Sequence, residues 1–205
     1  MNGYCLLPDM LTRDDVLRLN EQLQSSAGMV VPGGSLFPHL TVIQTELEPG
    51  FDWVAGLDQL KGSRFLQHEP VAWLGSEINV QRSGLVYWNL RVVPPWLIGL
   101  NELAVEVVER WVVHPERPEV SATWDVDQEA SFRRTGVPYN LGAYVPHFTV
   151  GLVDDDTRSS SSGSWFAQPV TRRLVKFRSL AYTEHGDHGQ ILKVLESVPL
   201  ALSWD

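Results

Sequence analysis

The chain is poor in cysteine. Its 205 residues include one, Cys5, so we expect neither an intrachain disulfide framework nor a Cys-based zinc site. Cys5 lies in the apolar run Tyr4-Cys5-Leu6-Leu7. We therefore expect a buried structural thiol rather than a reactive nucleophile.

Basic residues are also few. The 16 Lys and Arg residues are outnumbered by 25 Asp and Glu residues, which gives a net charge of −9. A protein that wraps long nucleic acid must neutralise many phosphates, so this balance disfavours such a partner. A small anionic ligand held in a locally basic cleft stays compatible with it.

Long apolar runs are missing as well. No stretch of the sequence approaches the roughly 18 uncharged apolar residues of a membrane span. The N-terminal apolar run is interrupted at Pro8-Asp9, and no Lys or Arg precedes Arg13, which is unlike a signal peptide. We expect a cytoplasmic protein without a membrane partner.

What the chain does contain is typical of a globular domain, with 43% hydrophobic and 20% charged residues. Apolar periodicity and turn residues predict a series of helices and strands. The predicted helices cover residues 13–25 (with Thr12 as N-cap), 51–60, 96–112 and, within an irregular insertion at about 114–143, a short one at 126–132. The predicted strands cover residues 3–7, 37–46, 65–74, 78–82, 85–93, 144–153, 170–182 and 190–197, with Gly75 in a turn.

One short stretch occurs twice, once in each half of the chain. Pro38-His39-Leu40-Thr41-Val42 and Pro146-His147-Phe148-Thr149-Val150 differ only in the exchange of one large apolar residue for another. Side chains two apart in a strand share a face. Each copy can therefore bury its apolar pair and present an imidazole and a hydroxyl together on the opposite face.

Two His-x-Thr strands, His39 with Thr41 and His147 with Thr149, resemble the 2H phosphoesterase superfamily. This superfamily includes the 2′-5′ RNA ligase-like proteins and the cyclic phosphodiesterases. The resemblance spans most of the chain and implies an α+β fold. Residues 1–205 would form a single bilobal domain, in which two pseudo-symmetric lobes of antiparallel sheet and helices flank a central cleft.

The resemblance also implies an activity. It is the metal-independent opening of a small cyclic or 2′-5′-linked nucleotide phosphodiester, or of an RNA end, with a 2′,3′-cyclic phosphate as first choice and a 2′-phosphate as product. His39 would be the general acid and His147 the general base, while Thr41 and Thr149 would hold the phosphate. No cofactor is expected. The residues themselves leave open which histidine donates and which accepts the proton.

Two other functions stay open on the sequence. A nucleotide-binding module could keep the same cleft without turnover, although pure binding needs no acid–base pair. A metal-dependent hydrolase could use His185 and His188, but the glycines around them favour an exposed hairpin tip. The oligomeric state is not indicated.

Further candidates are weaker. Tyr182 is our choice for an aromatic residue that stacks on a base. Trp53, Trp88 and Trp111 lie on periodic apolar faces and are expected in the core. Several basic side chains could line the cleft, although solvent-facing positions are the default for Arg82, Arg91, Arg133, Arg134, Lys176 and Arg178.

Overall fold

A computed structural model describes residues 1–27, 36–81, 83–114, 121, 123–153, 173–186 and 189–200. Within these ranges the strands are β1 (Asn2–Pro8), β2 (Leu40–Thr45), β3 (Val71–Val80), β4 (Leu85–Leu90), β5 (His147–Leu152), β6 (Leu174–His185) and β7 (Ile191–Pro199). The helices are α1 (Met10–Ala27), α2 (Trp53–Lys61), α3 (Pro95–Val108) and α4 (Val126–Thr135). None of the helices in these ranges is long and apolar enough to cross a membrane.

The strands form one antiparallel sheet in the order β1-β2-β5-β4-β3-β6-β7. Strand β6 also pairs with β1, so β1, β2, β5, β4, β3 and β6 form a closed ring of paired strands. The predicted α+β class with an antiparallel sheet is confirmed. Strands β2 and β5, which come from the two halves of the chain, are direct neighbours in this sheet.

The apolar residues of the repeated stretch anchor these two neighbouring strands. Leu40, Val42, Phe148 and Val150 are fully buried, and Phe148 lies parallel to Phe177 with ring centroids 6.3 Å apart. Full burial of each such side chain contributes about 1.5–3 kcal/mol relative to exposure. A slip of one residue would exchange these side chains for histidine and threonine in the core, so burial fixes the register of both strands.

The first helix begins earlier than predicted. The N-cap is Asp9, whose Oδ1 accepts a hydrogen bond from the Thr12 backbone N–H at 2.8 Å. Thr12 itself lies inside α1 and is fully buried, so its prediction as the N-cap was wrong. Both residue types can cap a helix, and Asp9 directly follows the end of β1 at Pro8, where the chain must turn.

The third strand also differs from prediction. Residues Arg64–Leu66 form a 3-10 turn, and β3 runs from Val71 to Val80 without a break at Gly75. The register against β4 shifts between Leu74 and Ile78. The glycine therefore marks an irregularity within a strand, which produces the same sequence signal as a turn.

Helix α3 connects the sheet to the segment before β5. Pro95 occupies its first turn, and a 3-10 turn at Glu109–Trp111 continues it. Asn101 is 1% exposed; its Nδ2 donates to the Val42 carbonyl at 2.7 Å and its Oδ1 accepts from the Leu141 N–H at 2.9 Å. The buried Asn101 amide thus links β2 to the segment that precedes β5.

The tryptophan predictions were partly confirmed. Trp88 is 3% exposed, and Trp53 packs against the core. Trp111 is 39% exposed, so its prediction as a core residue was wrong. It lies in the 3-10 turn after α3, where the periodicity of the α-helix no longer determines which side chains face inward.

Candidate active site

Strand pairing brings the two His-x-Thr motifs together. Leu40 is paired with Phe148 in the antiparallel contact between β2 and β5. Continuing that register by one residue in each direction sets His39 opposite Thr149 and Thr41 opposite His147. Because both central residues are buried, the two histidines and two threonines share the other face of the sheet.

Each histidine is held in the same way. His39 Nδ1 lies 2.7 Å from the carbonyl oxygen of Phe37, and His147 Nδ1 lies 2.7 Å from that of Val145. A carbonyl only accepts, so Nδ1 carries the proton in both rings. The Nε2 atom of each ring is therefore an acceptor when the ring is neutral and a donor when it is protonated. The backbone of Gly189 is a second hydrogen-bond partner of the His39 ring.

An aromatic ring fixes the plane of His147. Tyr87 on β4 stacks on this imidazole with ring centroids 3.5 Å apart and an interplanar angle of 19°. Tyr87 is paired with Thr149 across β4 and β5, which places it beside the motif. Sequence reasoning assigned this residue only to a strand, although its alternation with buried Val86 and Trp88 was the signal that it faces the other side.

Tyr144 positions the first motif. Its hydroxyl donates to the carbonyl oxygen of Thr41 at 2.7 Å, across 103 residues of sequence. Burial raises the pKa of Tyr144 well above its usual value, so the hydroxyl stays protonated as a donor. The segment that leads into β5 is thereby bonded to β2 as well as paired with it.

A cleft of about 850 Å³ opens on this face. Thr41, His147 and Thr149 line it, whereas His39 is 6% exposed and does not contribute to its surface. The insertion supplies one wall through a group of mainly polar residues: Asp125, Gln128, Tyr139 and Asn140. Strand β4 and its flanking turn supply Gln81, Ser83, Leu85 and Tyr87.

Of the basic residues named from the sequence, those that the structure describes do not line the cleft. Arg133 and Arg134 pair with Glu129 and Glu109 on the surface, and Lys176 pairs with Glu69 at 3.0 Å. Arg91 is exposed and Arg178 is half-buried, and neither lines the cleft. Arg82, between the cleft residues Gln81 and Ser83, lies outside the described residues.

Burial lowers the pKa of both motif histidines below the usual value of 6.5. For His147 the pKa falls to about 4, and the nearby charge of protonated His39 contributes to that decrease. Burial, with the same charge, lowers the pKa of His185 to about 4. Because like charges repel, protonation of one of these three rings opposes protonation of the other two.

His185 is buried at the end of β6 and is not part of an exposed hairpin tip. Strand β6 continues to His185, which is 3% exposed. Its ring packs edge-on against His39 with centroids 5.6 Å apart. The expectation of solvent exposure was wrong because β1 and β7 flank β6 on both edges up to this point. His188, its predicted metal-binding partner, lies outside the described residues.

Tyr182 does not reach the cleft either. It is 3% exposed, lies parallel to Trp53 at a centroid distance of 5.4 Å, and accepts a hydrogen bond from Asn2 Nδ2 at 3.1 Å. Tyr4 also packs against this ring at a tilt, with centroids 5.1 Å apart. A ring buried in this way cannot stack on a base, so its placement contradicts the predicted role. Tyr87 is the aromatic residue that adjoins the motif and lines the cleft.

Solved structures share this architecture. No protein-family model and no curated protein sequence matches the chain, but solved structures match over nearly its whole length. At identities of 14–16% this likeness shows the fold, and it confirms the α+β fold with an antiparallel sheet that the resemblance implies. The division of residues 1–205 into two lobes stays a prediction.

Three of these structures show the extent of the match. A structure described as a phosphoesterase has a TM-score of 0.56 at 14% identity and covers 98% of this chain and 97% of its own. A protein of Thermus thermophilus scores 0.59 at 16% identity, with 98% of both chains covered. E. coli LigT complexed with 3′-AMP scores 0.56 at 15% identity, with 98% and 97% covered.

Proposed function

We propose that the protein is a phosphodiesterase that opens a small cyclic or 2′-5′-linked nucleotide phosphodiester, with a 2′,3′-cyclic phosphate as its first-choice substrate. The observation that carries this proposal is the pairing of two His-x-Thr motifs across β2 and β5. Both imidazoles are held through Nδ1 by a carbonyl two residues earlier. Two oriented Nε2 atoms beside two hydroxyls suit acid–base catalysis at phosphorus.

The reaction needs one proton acceptor and one proton donor. His147 Nε2 takes a proton from water while the water oxygen forms a bond to phosphorus. The bond from phosphorus to the leaving oxygen breaks, and protonated His39 gives its Nε2 proton to that oxygen. With a 2′,3′-cyclic phosphate and O3′ as the leaving group, the product is the 2′-phosphate. Thr41 and Thr149 donate their hydroxyl protons to the non-bridging oxygens.

Repulsion between the two imidazoles supports a division of roles. The charge of one ring opposes protonation of the other, so there is a pH range in which one ring is charged and its partner is neutral. A general acid must begin protonated and a general base must begin neutral. We assign the acid to His39 and the base to His147, as the resemblance implies.

The cleft fits a small substrate of low charge. Its volume of about 850 Å³ falls in the range of roughly 300–1,000 Å³ that is usual for small-ligand pockets. Its described lining contains Asp125 and several neutral polar side chains but no Lys or Arg. A cyclic phosphodiester with a single negative charge suits such a lining better than a triphosphate or a long nucleic acid.

E. coli LigT has been crystallised with 3′-AMP, with ATP and with NADP+. These complexes support a nucleotide as the ligand of this chain. A nucleotide-binding module without turnover is the second candidate. The burial of His39, which is 6% exposed and does not line the cleft, favours that reading, because a general acid must reach the leaving oxygen.

One panel of substrates separates the two functions. It contains 2′,3′-cyclic and 3′,5′-cyclic mononucleotides, 2′-5′-linked dinucleotides, and cyclic di- and trinucleotides, each incubated with the protein in excess chelator. We expect turnover that survives the chelator and is lost in His39→Ala. The exposed histidine variant His68→Gln serves as a matched control and should keep the wild-type rate. Tight binding of one nucleotide without turnover of any would establish the binding module instead.

A further inference from the structure

A second cluster of chemically active side chains lies beside the proposed catalytic pair. Cys5, His39 and His185 are 0%, 6% and 3% exposed. One ligand atom from each residue lies within 4.8 Å of the other two. Cys5 Sγ is 3.5 Å from His185 Nε2. A thiol and two imidazoles at such separations form the donor set that zinc and similar transition metals prefer.

The sheet makes this cluster a rigid one. Cys5 lies in β1, which pairs with β2 on one edge and with β6 on the other. His39 directly precedes β2, and His185 ends β6. The three donors thus come from three adjacent strands whose register is fixed by pairing.

Both imidazoles are already oriented as metal ligands usually are. His39 Nδ1 donates to the Phe37 carbonyl at 2.7 Å, and His185 Nδ1 donates to the Gly189 carbonyl at 3.0 Å. A metal-binding histidine nearly always donates its other ring N–H to such a carbonyl or to a carboxylate. A metal would therefore bind the Nε2 atom of each ring, and His185 Nε2 would exchange its hydrogen bond with Thr183 for the metal.

The cluster does not need a metal in order to fold. Thr183 Oγ1 lies 2.7 Å from His185 Nε2 and 3.4 Å from Cys5 Sγ, so the buried polar atoms satisfy one another. Thr41 and Gly189 border the cluster and also line the cleft, which offers a route inward. Binding can consequently be reversible rather than structural.

We propose that Cys5, His39 and His185 form a zinc site that switches off the proposed phosphodiesterase. On binding, the Cys5 thiol releases its proton to solvent and its sulfur bonds to Zn²⁺, and the two Nε2 atoms complete the protein ligands. His39 then cannot donate a proton to a leaving group. The inhibitory part rests on the proposed function, whereas the binding part does not.

Metal binding is tested directly by titrating the full-length chain with Co²⁺ under reducing conditions. We expect one equivalent to give visible bands of a low-symmetry cobalt centre and a near-ultraviolet band from the thiolate, both removed by Zn²⁺. Cys5→Ser should abolish the thiolate band, and His185→Gln should weaken Co²⁺ binding by about tenfold or more. His68→Gln should bind as wild type. A wild-type chain without the thiolate band, or a Cys5→Ser chain that keeps it, would overturn the proposal.

Inhibition is tested on whichever substrate the panel identifies. Saturating Zn²⁺ should lower wild-type turnover by about 10²-fold or more, the worth of a positioned acid. Cys5→Ser should turn over at the wild-type rate without zinc and resist inhibition. Equal inhibition of both chains would overturn the regulatory link. If no substrate is turned over, the proposed function fails, and the cobalt titration still decides whether the site exists.

Discussion

The dependence of catalysis on pH follows directly from the burial of the two motif histidines. Burial, with the charge of His39, lowers the pKa of His147 to about 4, and burial lowers the pKa of His39 below 6.5. The base must be neutral, so kcat/KM rises with pH through the pKa of His147. The acid must be protonated, so kcat/KM falls as pH rises through the pKa of His39. We expect a bell whose optimum lies on the acidic side of neutrality.

The size of the effect can be worked out. With an alkaline limb at or below pH 6.5, no more than about 3% of His39 is protonated at pH 8, so kcat/KM there should be at least about 30-fold below its maximum. A bound phosphodiester anion favours the imidazolium form of both rings. The profile of kcat should therefore lie at higher pH than that of kcat/KM.

The assay measures both parameters between pH 3.5 and 9 at constant ionic strength, with circular dichroism recorded at each pH to establish that the protein stays folded. His147→Gln should lose the acidic limb along with most of the rate. A value of kcat/KM that continues to rise to pH 8, or that is flat across the range, would refute the reasoning from burial.

Three other predictions concern single side chains. His39→Ala and His147→Ala should each lower turnover by about 10²–10⁴-fold in a folded protein, as measured by steady-state kinetics; an unchanged rate in either would contradict the assigned roles. Phe148→Ala should lower the free energy of unfolding by about 3–5 kcal/mol in urea titrations, whereas Leu192→Ala, at a position 57% exposed, should stay within about 0.5 kcal/mol of wild type; equal effects would contradict the anchoring of β5. Tyr87→Ala should lower kcat/KM while leaving the unfolding midpoint nearly unchanged, and a normal rate would show that stacking does not position His147.

The motif and its orientation could be predicted from the sequence because both depend on local alternation. A buried Leu40 and Phe148 require His39 and His147 to face the other way, whatever the strands pair with. The direct pairing of β2 with β5 depends on contacts between distant segments, so local patterns could not predict it, and the resemblance implied only that the two motifs border one cleft.

The errors concern residues whose environment is set by tertiary structure. His185 lies among glycines that indicate a turn, yet two neighbouring strands bury it. Tyr182 and Tyr87 both lie in predicted strands, and only packing decides that Tyr182 faces Trp53 while Tyr87 faces the cleft. Local patterns identify a strand but leave the partner of each face undetermined.

The central claim is that His39 and His147 act as one catalytic unit. The most direct test compares kcat/KM on a 2′,3′-cyclic nucleotide, in chelator, for wild type, His39→Ala, His147→Ala and the double variant. Groups that act together lose most of their effect when either is removed. We therefore expect the double variant to be about as slow as the slower single one. A double variant whose loss is the product of the two single losses, or a single variant as fast as wild type, would contradict the two-histidine mechanism.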